Sequence, residues 1–483
     1  MKKIAMFLYA SNAENEVERL LLSFLKDTKF ANKTHAVGGY PRDQYMGKEA
    51  HDLDIVVEMD GGAKEITQFI KKMFSDAVTT PYNLGEYPIW EITFKDDVFF
   101  KNLTYRTKGA IIQFADTMRE VFPDPNSRQR NTEYASLNDD VKRRDFSINS
   151  LLKDLTTGEF IDLTGVSKSD IKNGILRTNP DVDPDEIFST DPLRMVRLLR
   201  FYAKFNFKIP KFVLESVKRN AHRIKIVSAE RIIEELKKIM EMGKLHQAIE
   251  LMKDVGLLQY ILPEVHDLQN QQQSPKHHAE GHVFQHTMNV LKNAPPTIHG
   301  QLAALLHDIG KPNSAQILED NITFHGHEEV GSEIAKAILQ RLKLDTQTTD
   351  KIVKMVRHHM RPHFLIHQDS GNKALRRFIR DVGEELVDDI LDLAEADALG
   401  SSPVVNDIPE LREKIKNIRM APVKPTNKPV LDGNEIISLL NIKPGPLIRE
   451  INQYLLDVQD EYAERNKELT KEEAKNLILK KYS

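Results

Sequence analysis

His35-Ala36-Val37-Gly38-Gly39-Tyr40-Pro41-Arg42-Asp43, followed by His51-Asp52-Leu53-Asp54-Ile55-Val56-Val57, is the stretch from which the rest of the chain is read. A glycine pair lets backbone N–H groups come close to an anion. Pro41 suits the first turn of a helix, with Arg42 and Asp43 just behind it. A phosphate at such a helix start meets unpaired N–H groups and a favourable dipole. Side chains alternate along a strand, so Asp52 and Asp54 are expected to point to one face. Together these residues predict a triphosphate site in which Asp52 and Asp54 hold Mg²⁺. The plainer reading is a tight turn followed by an edge strand with exposed acids. It fits each half alone better than it fits the combination. The combination points to transfer of a nucleotide.

The 483 residues suffice for roughly two to four domains. A 40% hydrophobic and 29% charged composition is that of an ordinary soluble chain. The net charge of −4 does not advertise a nucleic-acid binder, although a local basic face is compatible with it. There are no cysteines, which removes disulfides and thiolate metal sites and fits a cytoplasmic protein. Met1-Lys2-Lys3 precedes a short apolar run, Ile4 to Ala10, then Ser11-Asn12-Ala13. The run is at the lower limit for a signal peptide, and a first strand or helix is the expected reading. No stretch is long enough to span a membrane.

From Glu14 to Phe30, Val17, Leu20, Leu21, Phe24 and Leu25 recur at helical spacing. A β-rich region follows. Strands are expected at His35 to Val37, Leu53 to Val57 and Ala110 to Ala115, with a helix over Ile66 to Met73. Pro88 to Phe94 and Val98 to Tyr105 read as a hairpin around Lys95-Asp96-Asp97, and Pro123 to Asn131 as a polar loop. After about residue 186 the pattern is helical. Helices are expected at Asp191 to Phe205, Lys211 to Asn220, Ala229 to Met242, Gly281 to Ala294, His299 to Leu306, Val330 to Leu342 and Thr348 to His359. Linkers are expected at Gln269 to Ser274 and Ala421 to Pro429.

Two further clusters carry chemistry. In Lys142-Arg143-Arg144-Asp145-Phe146-Ser147-Ile148-Asn149-Ser150, Asp145 and Asn149 suit sugar hydroxyls and Arg144 suits phosphate. A solvated charge run leading into a buried element reads equally well. In Asp191-Pro192-Leu193-Arg194, the three-residue spacing predicts one helix face. A surface ion pair is the ordinary reading. The alternative is base recognition, because cytosine and adenine both present an amine donor beside a ring-nitrogen acceptor. Asp191 accepts from the first and Arg194 donates to the second, whereas uracil and guanine reverse the pattern. Arg197 and Arg200 extend the basic row.

These ordered motifs resemble those of bacterial class II CCA-adding tRNA nucleotidyltransferases and the related poly(A) polymerases. Gly38-Gly39, Arg42-Asp43 and Asp52-Leu53-Asp54 are similar to the metal and triphosphate motif. Arg143 to Asn149 resembles the ribose motif, and Asp162-Leu163-Thr164-Gly165 the hinge motif. Asp191 to Arg197 resembles the amino-acid template, and Glu230 to Leu236 the neck helix motif. The resemblance implies an α+β fold: a small mixed β-sheet head over 1–150, then an all-helical neck over 151–245. A body or linker over 246–280, an HD-type domain over 281–420 and a tRNA-binding tail over 421–483 complete it. It implies attack of a tRNA 3′-hydroxyl on CTP or ATP with release of pyrophosphate, with Asp52 and Asp54 as catalytic Mg²⁺ ligands. Gly38, Gly39, Arg42, Arg144, Asp145, Asn149, Asp191, Arg194 and Arg197 would bind the nucleotide. An A-adding, CC-adding or poly(A)-synthesising activity is the variant reading.

Three departures stand out. Thr190 occupies the position where the template motif usually begins with Glu. Gln113 aligns where an acid is usual, with Asp116 as a substitute. The segment Tyr82 to Lys108, which holds the only tryptophan, Trp90, is longer than expected.

His286, His307-Asp308, His325, His327, His358-His359 and His363 are dense for a helical region, and His282 and His286 are spaced as one helical turn. The segment resembles an HD phosphohydrolase domain. That resemblance implies His286, His307, Asp308 and Asp397 as ligands of a divalent transition metal that activates water. His327, His358 and His359 are expected to line a second metal or a phosphate pocket. A helical RNA-binding body with vestigial histidines is the plain alternative, and a phosphohydrolase with an RNA-binding head the opposite one. The tail, with Pro444-Gly445-Pro446, would grip tRNA with help from Lys480 and Lys481.

Overall fold

The alternation along Ile55-Val56-Val57 and Ile111 to Asp116 is realised, in a computed structural model of the chain, as the centre of a seven-stranded mixed sheet. The structure describes residues 12–85, 88–121, 131–273, 281–318, 321–368, 371–401, 404, 406–421, 423 and 426–482. The apolar run at 4–10, the loop at 123–130, Ser274 and part of the 421–429 linker lie outside the described residues. The chain divides into two units, Met1–Val227 and Ser228–Ser483. The break falls within the segment expected as the neck.

The first unit contains β1 (Thr34–Val37), β2 (Asp54–Val57), β3 (Tyr82–Asn83), β4 (Ile89–Thr93), β5 (Val98–Phe100) and β6 (Leu103–Tyr105). After these come β7 (Ile111–Asp116), β8 (Met118–Val121), β9 (Asn131–Tyr134), β10 (Leu152–Asp154) and β11 (Phe160–Ile161). The main sheet has the order β11-β10-β1-β2-β7-β4-β3. Only β2 and β7 pair in parallel. The sheet therefore runs past residue 150, because β10 and β11 complete its edge beside β1.

Each face has its own cover. Ile55, Val57, Ile92, Ile112 and Phe114 pack under Val17, Leu20 and Leu21 of helix Ala13–Phe24 and Ile66 and Ile70 of helix Gly62–Met73. Val37, Val56, Ala115 and Leu152 pack under Leu137 and Val141 of helix Leu137–Lys142. Period two puts Asp54, Gln113 and Glu91 on this second face. The expected hairpin is corrected. β4 pairs with β7 and β3, and the tight hairpin is β5–β6. Lys101 and Asn102 turn it with positive φ of 50° and 63°, as a two-residue hairpin loop requires. The long 82–108 segment thus supplies the far edge of the sheet, with Trp90 packed on the first face.

In the second unit, helix Val283–Asn293 packs on Val387–Gly400, and His327–Arg341 on Thr346–His358. The short strands β12 (Gln316–Leu318) and β13 (Asn321–Thr323) pair with each other. The tail has its own small core of Leu431, Ile436, Ile451, Leu455 and Ile478. Pro446 starts its long helix, Pro446–Glu464, where a missing N–H costs nothing. Arg380 Nη1 donates to Asp460 Oδ2 at 2.5 Å and docks that helix on Asn372–Val382. No helix among the described residues is long and apolar enough to cross a membrane.

Candidate functional site

Strand β1 delivers Gly38, with φ +75°, to the start of the short helix Gly39–Tyr45. Asp54 opens β2 directly beside Val37. A Cβ on Gly38 would lie 3.9 Å from Asp54 Oδ2, so the glycine leaves the space before the carboxylate open. Asp52 is not on the strand, contrary to the alternation argument. It has φ +60°, and its carbonyl accepts from Asp54 N at 3.0 Å, so the chain turns just before β2. The two acids are still near enough to interact. Asp54 is open to water yet hemmed in by protein, and this crowding pushes its carboxyl up to about 6, against the pull of Arg144 and with the push of Asp52. Two adjacent acids of this kind are a donor set that a divalent cation relieves.

Behind this opening is a closed hydrogen-bond network. Arg42, 4% exposed, donates from Nη1 to Asn149 Oδ1 (2.5 Å) and from Nε to Asp43 Oδ1 (2.7 Å). Its guanidinium lies 4.8 Å from the Phe205 ring centroid. Asn149 Nδ2 and Arg197 Nε donate to the two oxygens of Asp145 at 2.9 and 2.8 Å. Asp145 is held low despite its burial, chiefly by Arg197 and Asn149. Arg42, Asp145 and Asn149 thus brace one another in the wall behind the glycine pair.

Asp140, a residue given no role above, is fully buried and organises the other side. It accepts from Arg143 Nη2 at 2.6 Å and from Arg144 Nη2 at 2.8 Å. The spacing of three and four residues on a helix end is the sequence signal for it. Arg194 Nη2 donates to the Arg143 carbonyl at 2.7 Å, linking helix Leu193–Phe205 to the same assembly. Asp191 and Arg194 do not share a helix: Asp191 caps the end of Pro184–Thr190, and its Oδ1 accepts from Leu193 N at 3.3 Å. Thr190 donates to the Glu186 carbonyl at 2.7 Å within its own helix.

Asp116 is not a third acid of the site. Its carboxylate accepts from Gly61 N (2.9 Å) and Ala63 N (2.7 Å), capping helix Gly62–Met73 three residues along β7 from Gln113. The helix dipole and free N–H groups claim it.

In the second unit the expected ligands meet. His286, His307 and Asp397 converge as one group, and Asp308, His327 and His359 as another. Asp308 faces both groups. Its Oδ2 is 3.2 Å from His307 Nε2, and its Oδ1 is 3.3 Å from His327 Nε2. His286 Nε2 is 3.0 Å from Asp397 Oδ1. The Nδ1 atoms of His307, His327 and His359 bond the carbonyls of Ala304 (2.8 Å), Phe324 (2.8 Å) and Val356 (2.7 Å). That fixes the tautomer and aims each Nε2 inward, which is how ligating histidines are held. Burial, with His307 and His327 close by, lowers His359 to about 3, so it stays neutral. Asp308 and Asp397 are held well below the usual carboxylate range although buried, by His307 and Lys311 in one case and His286 and His363 in the other. This donor set fits divalent transition metals.

His327 and His359 therefore belong to the cluster, whereas His358 is in neither group. His282 precedes helix Val283–Asn293 and is exposed. Lys311, unassigned from sequence, donates to Gln273 Oε1 (2.7 Å) and pairs with Asp308 Oδ2 (2.6 Å). A cavity of about 670 Å³ opens beside Asp308, Lys311, His363 and Asp397.

In comparisons with known proteins, the two sites fall within different matched regions. Residues 34–177 match the model described as "Poly A polymerase head domain", and 206–269 match "Probable RNA and SrmB- binding site of polymerase A". Residues 283–400 match "HD domain". The chain is 30% identical to a CC-adding tRNA nucleotidyltransferase of Thermus thermophilus, over 71% of this chain and 77% of that protein. It is 31% identical to a multifunctional CCA protein of Haemophilus ducreyi, over 75% of this chain and 84% of that protein. An A-adding tRNA nucleotidyltransferase of Deinococcus radiodurans matches at 28% identity, over 67% and 75%. The fold is that of the CCA-adding enzyme of Bacillus stearothermophilus solved with CTP, with TM-score 0.64, 16% identity and 97% of both chains covered. With its glycine-flanked acids, its buried arginine network and its histidine cluster in this order, the chain belongs to the tRNA nucleotidyltransferase family and carries an HD domain.

Proposed function

We propose that the protein adds C, C and A to the 3′ end of tRNA, drawing on CTP and ATP and releasing pyrophosphate. The observation that carries this is Asp52 and Asp54 beside the open Gly38 turn, in a chain colinear with most of a multifunctional CCA protein. The tRNA 3′-oxygen attacks the α-phosphorus, its proton is lost, and the bond to pyrophosphate breaks. Asp52 and Asp54 would hold Mg²⁺, which when bound would supply charge neutralisation of the phosphates and a lowered pKa for the attacking hydroxyl. The N–H groups after Gly38 approach the triphosphate. Arg144, held by Asp140, offsets the charge that accumulates near Asp54. Asp191 and Arg194 read the amine and ring nitrogen shared by cytosine and adenine, with Arg194 fixed by the Arg143 carbonyl. Addition of C alone or A alone is the second reading, favoured by the CC-adding and A-adding relatives.

The HD cluster suits a separate hydrolysis of a phosphate ester: His286, His307 and Asp397 would hold one divalent ion and Asp308, His327 and His359 another, and such ions would supply an activated water. Lys311 and His363 border the adjoining cavity, where the Lys311 ammonium offers positive charge to the ester. Two substitutions separate the sites. Asp54→Ala is expected to abolish incorporation of labelled CTP and ATP into tRNA while hydrolytic ring-opening of a 2′,3′-cyclic nucleotide to its monophosphate persists. Asp308→Ala is expected to do the reverse. Persistent incorporation in Asp54→Ala would refute the head assignment.

A further inference from the structure

Strand register places four side chains in a lateral row on the second face of the sheet, the one that helix Leu137–Lys142 partly covers. Asp54 on β2 is opposite Gln113 on β7, Gln113 is opposite Glu91 on β4, and Glu91 is opposite Tyr82 on β3. Directly opposed residues share a face, with side chains in reach of one another. The hydrogen bonds in this row have a direction. Gln113 donates its Nε2 to Glu91 Oε2 at 2.9 Å, and the Tyr82 hydroxyl donates to Glu91 Oε1. Glu91 is only 8% exposed, so its two oxygens are committed to these donors. A carboxylate accepts and never donates, so the Gln113 amide must keep its nitrogen toward β4. Its oxygen is the arm of the amide that Glu91 does not hold, and the strand on the other side of Gln113 is β2, where Asp54 is its direct neighbour.

We propose that Gln113 turns a neutral carbonyl oxygen toward the cation held by Asp52 and Asp54, and that Glu91 is the positioning residue that keeps it turned. The proposal rests on the head reading above. It explains what the long 82–108 segment contributes: the last two strands of the sheet, β4 and β3, which bring an acid to the far side of Gln113. It also explains why residue 113 is an amide. A carboxylate there would oppose Glu91 across the strands, and like charges directly opposite repel. The negative charge is thus kept one strand away from the cation, and a neutral oxygen stands between. Carbonyl oxygens are ordinary ligands of hard divalent ions.

The test uses the full-length protein and a cation that reports its own location. Fe²⁺ with ascorbate and hydrogen peroxide cuts the backbone next to where it is bound, and mass spectrometry maps the cuts. Cutting near 52–54 reports the head, and cutting among the HD histidines is an internal control for folding. Asp54→Ala is expected to remove the head cuts; if they remain, the head reading itself fails. Gln113→Met keeps the shape and removes the oxygen, and is expected to raise the Fe²⁺ needed for half-maximal head cutting about tenfold. Glu91→Gln frees the amide to rotate and is expected to act in the same direction. The swap Glu91→Gln with Gln113→Glu restores a donor–acceptor pair and puts oxygen on both arms of residue 113, so it is expected to recover wild-type binding. Wild-type iron dependence in both Gln113→Met and Glu91→Gln, with the head cuts lost in Asp54→Ala, would overturn the proposal alone. Weakening in Glu91→Gln that the swap does not recover would overturn the positioning role of Glu91.

Discussion

At the scale of the residue, the acids of the head divide the work by what surrounds them. Asp54 and Asp52 are crowded together before an open turn, whereas Asp140 and Asp145 are buried and spend their oxygens on arginines and an asparagine. Sequence alone separates these roles poorly, because an Asp that holds a cation and one that holds an arginine are spelled alike. Burial decides between them, and burial comes from the fold. His35 is a second case. It lies in the middle of the sheet, 2% exposed, and burial pulls its imidazole below the ordinary value against Asp154 and Glu58. The unfolded chain therefore takes up a proton first as the pH falls. The stabilisation is complete above about pH 6.5 and is lost as the pH drops below it. The melting temperature should fall further between about pH 7.5 and about pH 5.5 in the wild type than in His35→Gln. Equal falls would contradict the assignment.

At the scale of the element, local patterns were legible and long-range pairings were not. Helical spacing located Lys211–Asn220 and Ala229–Met240 nearly to the residue, and the glycine pair did mark a strand-to-helix turn. The hairpin expected from Pro88 to Tyr105 failed because β4 finds its partner in β7, across the β5–β6 excursion. Asp116 failed as a metal ligand because a helix start lies beside it, which no spacing along β7 reveals. The histidines were readable as an ordered set, but their division into two groups about Asp308 depends on a helix crossing. Helix His327–Arg341 passes directly over Gly310, where any Cβ would overlap the His327 carbonyl and come within 2.5 Å of Gly331 N. Glycine there is what lets His327 reach Asp308. Gly310→Ala should cost about 1–3 kcal/mol of stability through overpacking. It should also lower the divalent metal bound per chain while tRNA extension continues. Metal analysis of the purified variant checks this, and unchanged metal content would show that the crossing does not set the second group.

At the scale of the whole molecule, two donor sets are held in two separate units. Each has its acids in a different setting: two carboxylates at a glycine turn in the first, imidazoles with carboxylates in the second. Hard oxygen donors suit Mg²⁺ and a triphosphate, and mixed nitrogen and oxygen donors suit a transition metal and water. The central claim is that the first unit builds a complete C, C and A end. It is tested most directly by sequencing the 3′ ends of tRNA after incubation with the protein and both nucleotides. Three starting ends are used: the discriminator base, C and CC. The account predicts CCA on all three. Ends that stop at CC, or that gain A only when CC is already present, would contradict it.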